Sequence, residues 1–223
     1  MSYPWTRGGP GANRNYSRRP SGSPGGRPAS RRLSQDELDT LYTALGRGRF
    51  VALDVETTGL SAASEHVVEI CALRFSLRRQ DTAWLLEPGD EFERLVNPGR
   101  PMPDAAQAIH GISDLDVSGA PGFSELAPSL AEFLGDDPLV AHNAPFDLGF
   151  LAAEFGRAGL AVPANPGYDT LLLARTAVPH LPSYSLVSLV SAFGIHSDGA
   201  HRAGWDTRAC MEVFHRCVSL LYK

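Results

Sequence analysis

Asp54 and Glu56 sit one residue apart in FVALDVETTGL, directly after an apolar run from Phe50 to Leu53. Side chains alternate along a strand with a period of two, so both carboxylates face one way and Val55 the other. Two acids side by side at the end of a buried strand repel each other unless something positive lies between them. Oxygen-rich sites of this kind suit Mg²⁺ or Mn²⁺. Alone, the pair is also what a solvated strand end would carry.

Further carboxylates change that balance. In LVAHNAPFDLGFL, an apolar strand and a polar turn lead into a helix whose first turn holds Pro145 and Asp147. Proline belongs at a helix start and an acid there is favoured by the helix dipole, so Asp147 also has a purely local reason to be where it is. In HRAGWDTRACMEVFHRC, Asp206, Cys210, Val213 and Cys217 fall at i, i+4, i+7 and i+11. That spacing puts Asp206 on the apolar stripe that packs on the core. An unpaired acid is costly there, which favours a metal or an arginine as its partner. His201 lies just before this helix, in a loop flanked by Gly and Ala, within reach of the same pocket.

Several elements must position these residues. SQDE is a capping box with Ser34 as N-cap, and Leu38, Leu41, Tyr42 and Leu45 follow as a helix stripe that stops at Gly46. The opening strand comes next, then a second over Glu65 to Phe75 and a third over Glu91 to Gly99, antiparallel to its neighbour. The RRQDTAWLLEPGD stretch between them reads as a connection longer than a tight hairpin needs. Beyond it the spacing predicts a helix over 124–134, a strand over 139–142, and helices near 145–158, 169–177, 185–193 and 204–221. Asp169 reads as an N-cap, and Glu69 in the second strand as a residue paired with an arginine. Strands first, then helices with one more strand between them, imply an α/β layer fold with a mixed central sheet.

Composition sets the remaining bounds. The 43% hydrophobic content of this 223-residue chain suffices for one full core, and no stretch approaches the 18 apolar residues that span a membrane. Cys71, Cys210 and Cys217 form no CxxC pair, as expected of buried thiols in a reduced cytoplasmic protein. The net charge of -5 is unevenly spread: seven arginines and no acid precede Asp36. Residues 1–33 are dense in Gly, Pro, Ser and Arg and read as a disordered tail ahead of a domain over 34–223.

DVETTGL, HNAPFD and HRAGWD together resemble the three motifs of the DEDDh group, the DnaQ-like 3′→5′ exonucleases with a ribonuclease-H-like fold. Asp54 and Glu56 match the first motif, Asp147 the second, and Asp206 with His201 the third. VNPGRPMPDAAQAIHGI resembles the segment such enzymes carry between the first two motifs. The resemblance runs from about Phe50 to Leu221 and is nearest to the proofreading subunits of bacterial replicative polymerases.

It implies two divalent ions, Mg²⁺ or Mn²⁺, roughly 4 Å apart and held by Asp54, Glu56, Asp147 and Asp206. His201 would be the general base that takes a proton from the attacking water. His110 and the backbone around Thr57 and Gly59 would hold the terminal nucleotide, with Leu60 wedged against a base and Asn143 and Phe146 lining the neighbouring subsite. Each of these has a structural alternative: His110 as a cap, Phe146 as core, Asn143 as a turn residue. The implied activity is removal of nucleotides from DNA 3′ ends in proofreading or repair, with a polymerase as a possible partner and no membrane. Trimming of RNA by the same site is the alternative, and a non-catalytic adaptor a more distant one, since a degenerate domain loses acids that are complete here. The chain ends within a turn of its last helix, from which a stand-alone enzyme is expected.

Overall fold

The computed structural model describes residues 31–195 and 202–223. Five strands, β1 (Arg49–Thr57), β2 (Val67–Gln80), β3 (Ala83–Leu95), β4 (Leu139–Ala141) and β5 (Gly167–Asp169), form one sheet in the order β3-β2-β1-β4-β5. The β1–β2 and β2–β3 pairs are antiparallel, while β1–β4 and β4–β5 are parallel. The helices are α1 (Gln35–Leu45), α2 (Asp104–His110), α3 (Asp114–Val117), α4 (Phe123–Leu134), α5 (Pro145–Arg157), α6 (Thr170–Ala177), α7 (Leu186–Ala192) and α8 (Ala203–Leu221). A mixed sheet with helices on both faces is the α/β architecture expected from the sequence.

The alternation of β1 divides the core in two. Phe50 and Ala52 face α1, α6, α7 and α8, where Phe50 and Phe214 lie 5.2 Å apart and Phe75 closes the aromatic group. Val51, Leu53 and Val55 face α4 and α5 and pack among Phe123, Leu130, Phe150 and Phe155. Fully burying each such side chain stabilises the fold by about 1.5–3 kcal/mol, so both helical layers are anchored to the strand that ends in the acids. A third, smaller cluster of Val68, Met102, Ala106, Ile112 and Val117 docks the α2–α3 segment against β2.

Ser34 and Glu37 form the expected capping box, and Leu41 and Leu45 are buried. Tyr42, by contrast, faces outward, its ring 5.4 Å from that of Tyr222, and Ala44 occupies the core position instead. The third strand is longer than expected. It begins at Ala83 and pairs with β2 back to Gln80, so the supposed long connection is a two-residue hairpin loop at Asp81 and Thr82, with Asp81 at φ 55°. Pro88 and Gly89, within the stretch read as a connection, sit beside a register shift in this edge strand, a position that tolerates proline. The short elements β5, α2 and α3 carry too few residues to show a period.

Of the expected tail, residues 1–30 lie outside the described residues. Arg31 pairs with Glu37 at 2.6 Å, and the Leu33 N–H donates to Thr176 Oγ1 at 2.9 Å. Among the described residues no helix is long and apolar enough to cross a membrane. The three cysteines are free and buried, and burial pushes their thiols up, Cys217 to about 12, so none is a nucleophile at neutral pH.

Candidate active site

The site forms where β1 outruns its parallel neighbour. Pairing with β4 stops at Ala52, so the last residues of β1, from Asp54 to Thr57, extend past β4 at the carboxyl end of the central strands. That is the place where open α/β sheets bind ligands. Asp54 and Glu56 are both buried and continue the face that carries Phe50 and Ala52 toward α8.

Two helix starts flank this strand end. α5 begins with Pro145, and Asp147 in its first turn is fully buried, its Oδ1 accepting the Val55 N–H at 3.2 Å. That N–H is left without a strand partner when β4 ends, so Asp147 completes the ladder as well as the acidic set. α8 enters from the other side. Gly204 lies under the β3 side chain of Glu93, whose Oε1 would be 2.8 Å from a Cβ at that position. Thr207, fully buried, donates its hydroxyl to the Ala203 carbonyl at 2.6 Å and sits 3.3 Å from the Cys71 carbonyl, against β2. Asp206, Cys210, Val213 and Cys217 are all buried, as the stripe predicts.

As a result, carboxylate oxygens of Asp54, Glu56 and Asp206 lie within 4.8 Å of one another. Three buried anionic oxygens at that spacing match the donor set of a hard divalent cation. Asp147 stands outside this trio, on the β4 side of β1. His201 falls outside the described residues; Arg202 and Asp206, its motif neighbours, frame its place in the chain.

The residues expected to touch substrate are distributed as follows. Thr57 is buried, with its hydroxyl on the Gly59 carbonyl at 2.6 Å, while Leu60 stands 55% exposed at the tip of the loop. Thr58 bonds Glu65 Oε2 at 2.6 Å, and a Cβ at Gly59 would lie 2.9 Å from the Glu65 side chain, so this loop is closely packed. His110 is buried at the end of α2, before the left-handed Gly111. Its Nδ1 accepts the Ile112 N–H at 3.0 Å, which fixes the proton of the neutral ring on Nε2. Burial lowers the imidazole pKa, against an upward pull from the Glu69 charge and the Thr57 backbone. Asn143 is exposed at φ 64°, and its N–H donates to Asp169 Oδ1, which also caps α6. Phe146 is half-buried, packed on the α4–α5 core with its ring 5.0 Å from Phe150.

Sequence reasoning missed two features. The Arg157 guanidinium bonds the carbonyls of Ala62 and Glu65 and the buried Glu154, tying α5 to the loop that carries Leu60. Arg202 is the arginine that pairs with Glu69, and its place within the third motif, next to His201, carried no signal beyond adjacency.

The profile of the family described as Exonuclease matches residues 51–214. Over 169 residues the chain is 37% identical to a PolC-type DNA polymerase III of Halalkalibacterium halodurans, covering 76% of this chain and 11% of that protein. Over 199 residues it is 36% identical to a DNA polymerase III subunit epsilon-like protein of Rhodobacter capsulatus, covering 88% and 26%. The chain therefore spans about a tenth to a quarter of the length of these curated relatives. Among solved structures, Exonuclease X in complex with 5′-overhanging duplex DNA superposes with a TM-score of 0.55 at 26% identity, covering 76% of this chain and 90% of that one. E. coli Exonuclease I in complex with a dT13 oligonucleotide shares the fold, with a TM-score of 0.65 at 20% identity and coverage of 78% and 41%.

Proposed function

The chain belongs to the exonuclease family, and from that membership we propose that it removes nucleotides from the 3′ end of DNA by divalent-metal-dependent phosphodiester hydrolysis, in replication or repair. The observation that carries this reading is the buried trio of Asp54, Glu56 and Asp206, with oxygens within 4.8 Å, at the end of the central strand.

In this proposal Asp54, Glu56 and Asp206, joined by Asp147, hold two cations, Mg²⁺ or Mn²⁺. When bound, such ions supply Lewis acidity and neutralise the acidic pocket toward a phosphate. His201 accepts a proton from the attacking water, whose oxygen joins phosphorus as the bond to the departing 3′ oxygen breaks. The buried neutral ring of His110 and the Thr57–Gly59 backbone hold the terminal nucleotide. Leu60, exposed on a loop that Arg157 and Glu65 restrain, meets a base, while Asn143 and Phe146 border the adjoining subsite. The DNA named with Exonuclease X and Exonuclease I supports DNA as substrate. The polymerase names of the curated relatives support replication as the setting and a polymerase as partner. Three free, buried cysteines accord with the reducing cytoplasm.

The test is a time course on 5′-labelled single-stranded DNA, 3′-mismatched duplex and RNA, with Mg²⁺, Mn²⁺ or EDTA. A ladder shortening from the 3′ end of DNA, abolished by EDTA, is expected. A ladder that survives EDTA, or one confined to RNA, would overturn the metal or the DNA assignment respectively.

A further inference from the structure

Glu69 is a second buried glutamate beside Glu56. The β1–β2 register pairs the two residues directly, so their side chains share one face about one strand spacing apart. Glu69 is only 1% exposed and stands outside the trio of Asp54, Glu56 and Asp206. Its charge is met by Arg202. Nε reaches both carboxylate oxygens at 3.1 Å and Nη2 reaches Oε1 at 2.6 Å. The Ala203 N–H at the start of α8 adds a bond to Oε2 at 3.1 Å. Glu69 is thereby saturated with donors and has no need of a cation.

Arg202 is not saturated. A guanidinium presents five N–H groups in a rigid plane, and Glu69 occupies only the Nε–Nη2 edge. Nη1 makes no hydrogen bond among the described residues, and the side chain is 56% exposed. The group cannot swing away, because a buried carboxylate grips its other edge. It also stands in the right neighbourhood. The Asp206 N–H bonds the Arg202 carbonyl at 3.1 Å, His201 is the preceding residue, and the charges of Glu69 and Arg202 both act on the His110 ring. The Nε–Nη2 edge answers the buried charge of Glu69; the Nη1 edge has no such task, and a fixed, half-exposed cation beside an acidic centre fits a polyanion entering that centre.

We infer that Arg202 is a substrate-binding residue whose Nη1 edge takes a phosphodiester oxygen of the bound strand, while buried Glu69 holds the guanidinium in register for it. This assignment rests on the exonuclease reading and adds a contact to the same site. Lysine could not serve both partners at once, since an ammonium lacks the planar fork.

The experiment measures binding of a 5′-fluorescein oligo-dT single strand by anisotropy over a KCl series, in Ca²⁺, for wild type and Arg202→Ala. The variant is expected to bind roughly 10–100-fold more weakly, as for loss of one charge-assisted hydrogen bond. The slope of log affinity against log salt should flatten by about 0.7, the share of one phosphate contact on a single strand. A residue that only braced α8 would lower the melting temperature and leave that slope unchanged. Should Arg202→Ala fail to fold by circular dichroism, Arg202→Gln, which still donates to Glu69, carries the same slope comparison. A folded variant with the wild-type slope overturns the assignment while strand shortening by the wild type leaves the exonuclease reading intact. A wild type that neither binds nor shortens the strand overturns both.

Discussion

Replacing Asp206 by asparagine separates a cation site from a set of acids held for structural reasons. The side chain keeps its shape and loses its charge. Asp206, Asp54 and Glu56 bring oxygens within 4.8 Å of one another, and two unit charges at that distance repel by about 3.5 kcal/mol at an effective dielectric of 20. Asp206 takes part in two such pairs, which amounts to roughly 7 kcal/mol at that separation for a fully ionised, cation-free cluster. Protons and counterions absorb most of this, and the amide forfeits some of the carboxylate's hydrogen bonding, so a net gain of about 1–3 kcal/mol is expected in EDTA. For a domain of this size that raises the melting temperature by roughly 3–10 °C. Wild type should respond to Mn²⁺ in the opposite sense. At a hundred times the dissociation constant, a bound ion stabilises the folded state by about 2.7 kcal/mol, and the variant should forfeit most of that gain. The order of stability thus inverts: variant above wild type in EDTA, wild type level with or above it in Mn²⁺. Thermal melts at low salt measure both arms without any reference to catalysis. A variant that melts lower in EDTA and still gains the full Mn²⁺ shift would refute the reasoning, since these carboxylates would then be neither mutually repelling nor ligands.

Two further outcomes follow from the histidines. His201→Ala should slow single turnover by roughly 10²–10⁴-fold and abolish the rise of rate with pH, while leaving the Mn²⁺ melting shift in place; a near-wild-type profile would leave His201 without a catalytic role. His110 has a folded pKa lowered by burial, so as pH falls through about 6.5 the unfolded chain takes up a proton that the native ring declines, and stability drops. Urea unfolding at pH 7.5 and 5.5 should show His110→Gln losing less than wild type, by up to about 1 kcal/mol, and equal acid sensitivity would show that His110 accepts its proton in the folded state.

How much of this was legible in the sequence depends on the length over which a signal accumulates. The period-two run of β1 placed Asp54 and Glu56 on one face, and the stripe from Asp206 to Cys217 placed that acid against the sheet, because each pattern repeats often enough to be distinctive. Asp147 was singled out by the motif resemblance, its helix start giving only a local reason for an acid, and its bond to the Val55 N–H depends on where β4 stops, a tertiary fact. The hairpin at Asp81 was hidden because Pro88 and Gly89 carry turn chemistry while sitting in an edge strand that tolerates them. His110 was singled out by resemblance alone: α2 has seven residues, too few to show a period, and its docking on Val68 is a contact between distant segments.

Glu56 and Glu69 show where reading by residue type ends. Both are glutamates near strand ends with apolar neighbours, both are buried, and the register sets them opposite each other. Their difference in role comes from what α8 brings to each. Asp206, on the inner face of its first turn, adds a third negative oxygen to Glu56 and Asp54, whereas Arg202, the N-cap one turn earlier, lays a guanidinium on Glu69. One helix start therefore delivers a charge of each sign to neighbouring strands. The acid concentrates negative charge where a cation can bind, and the arginine neutralises the glutamate that would otherwise compete for it. Swapping the partners, as in a Glu69→Arg, Arg202→Glu double variant, would turn the exposed edge anionic, at a cost in stability because the buried Ala203 N–H loses its acceptor. Strand affinity lower than that of Arg202→Ala, in a double variant still folded by circular dichroism, is the result that separates a phosphate-facing pair from a structural one.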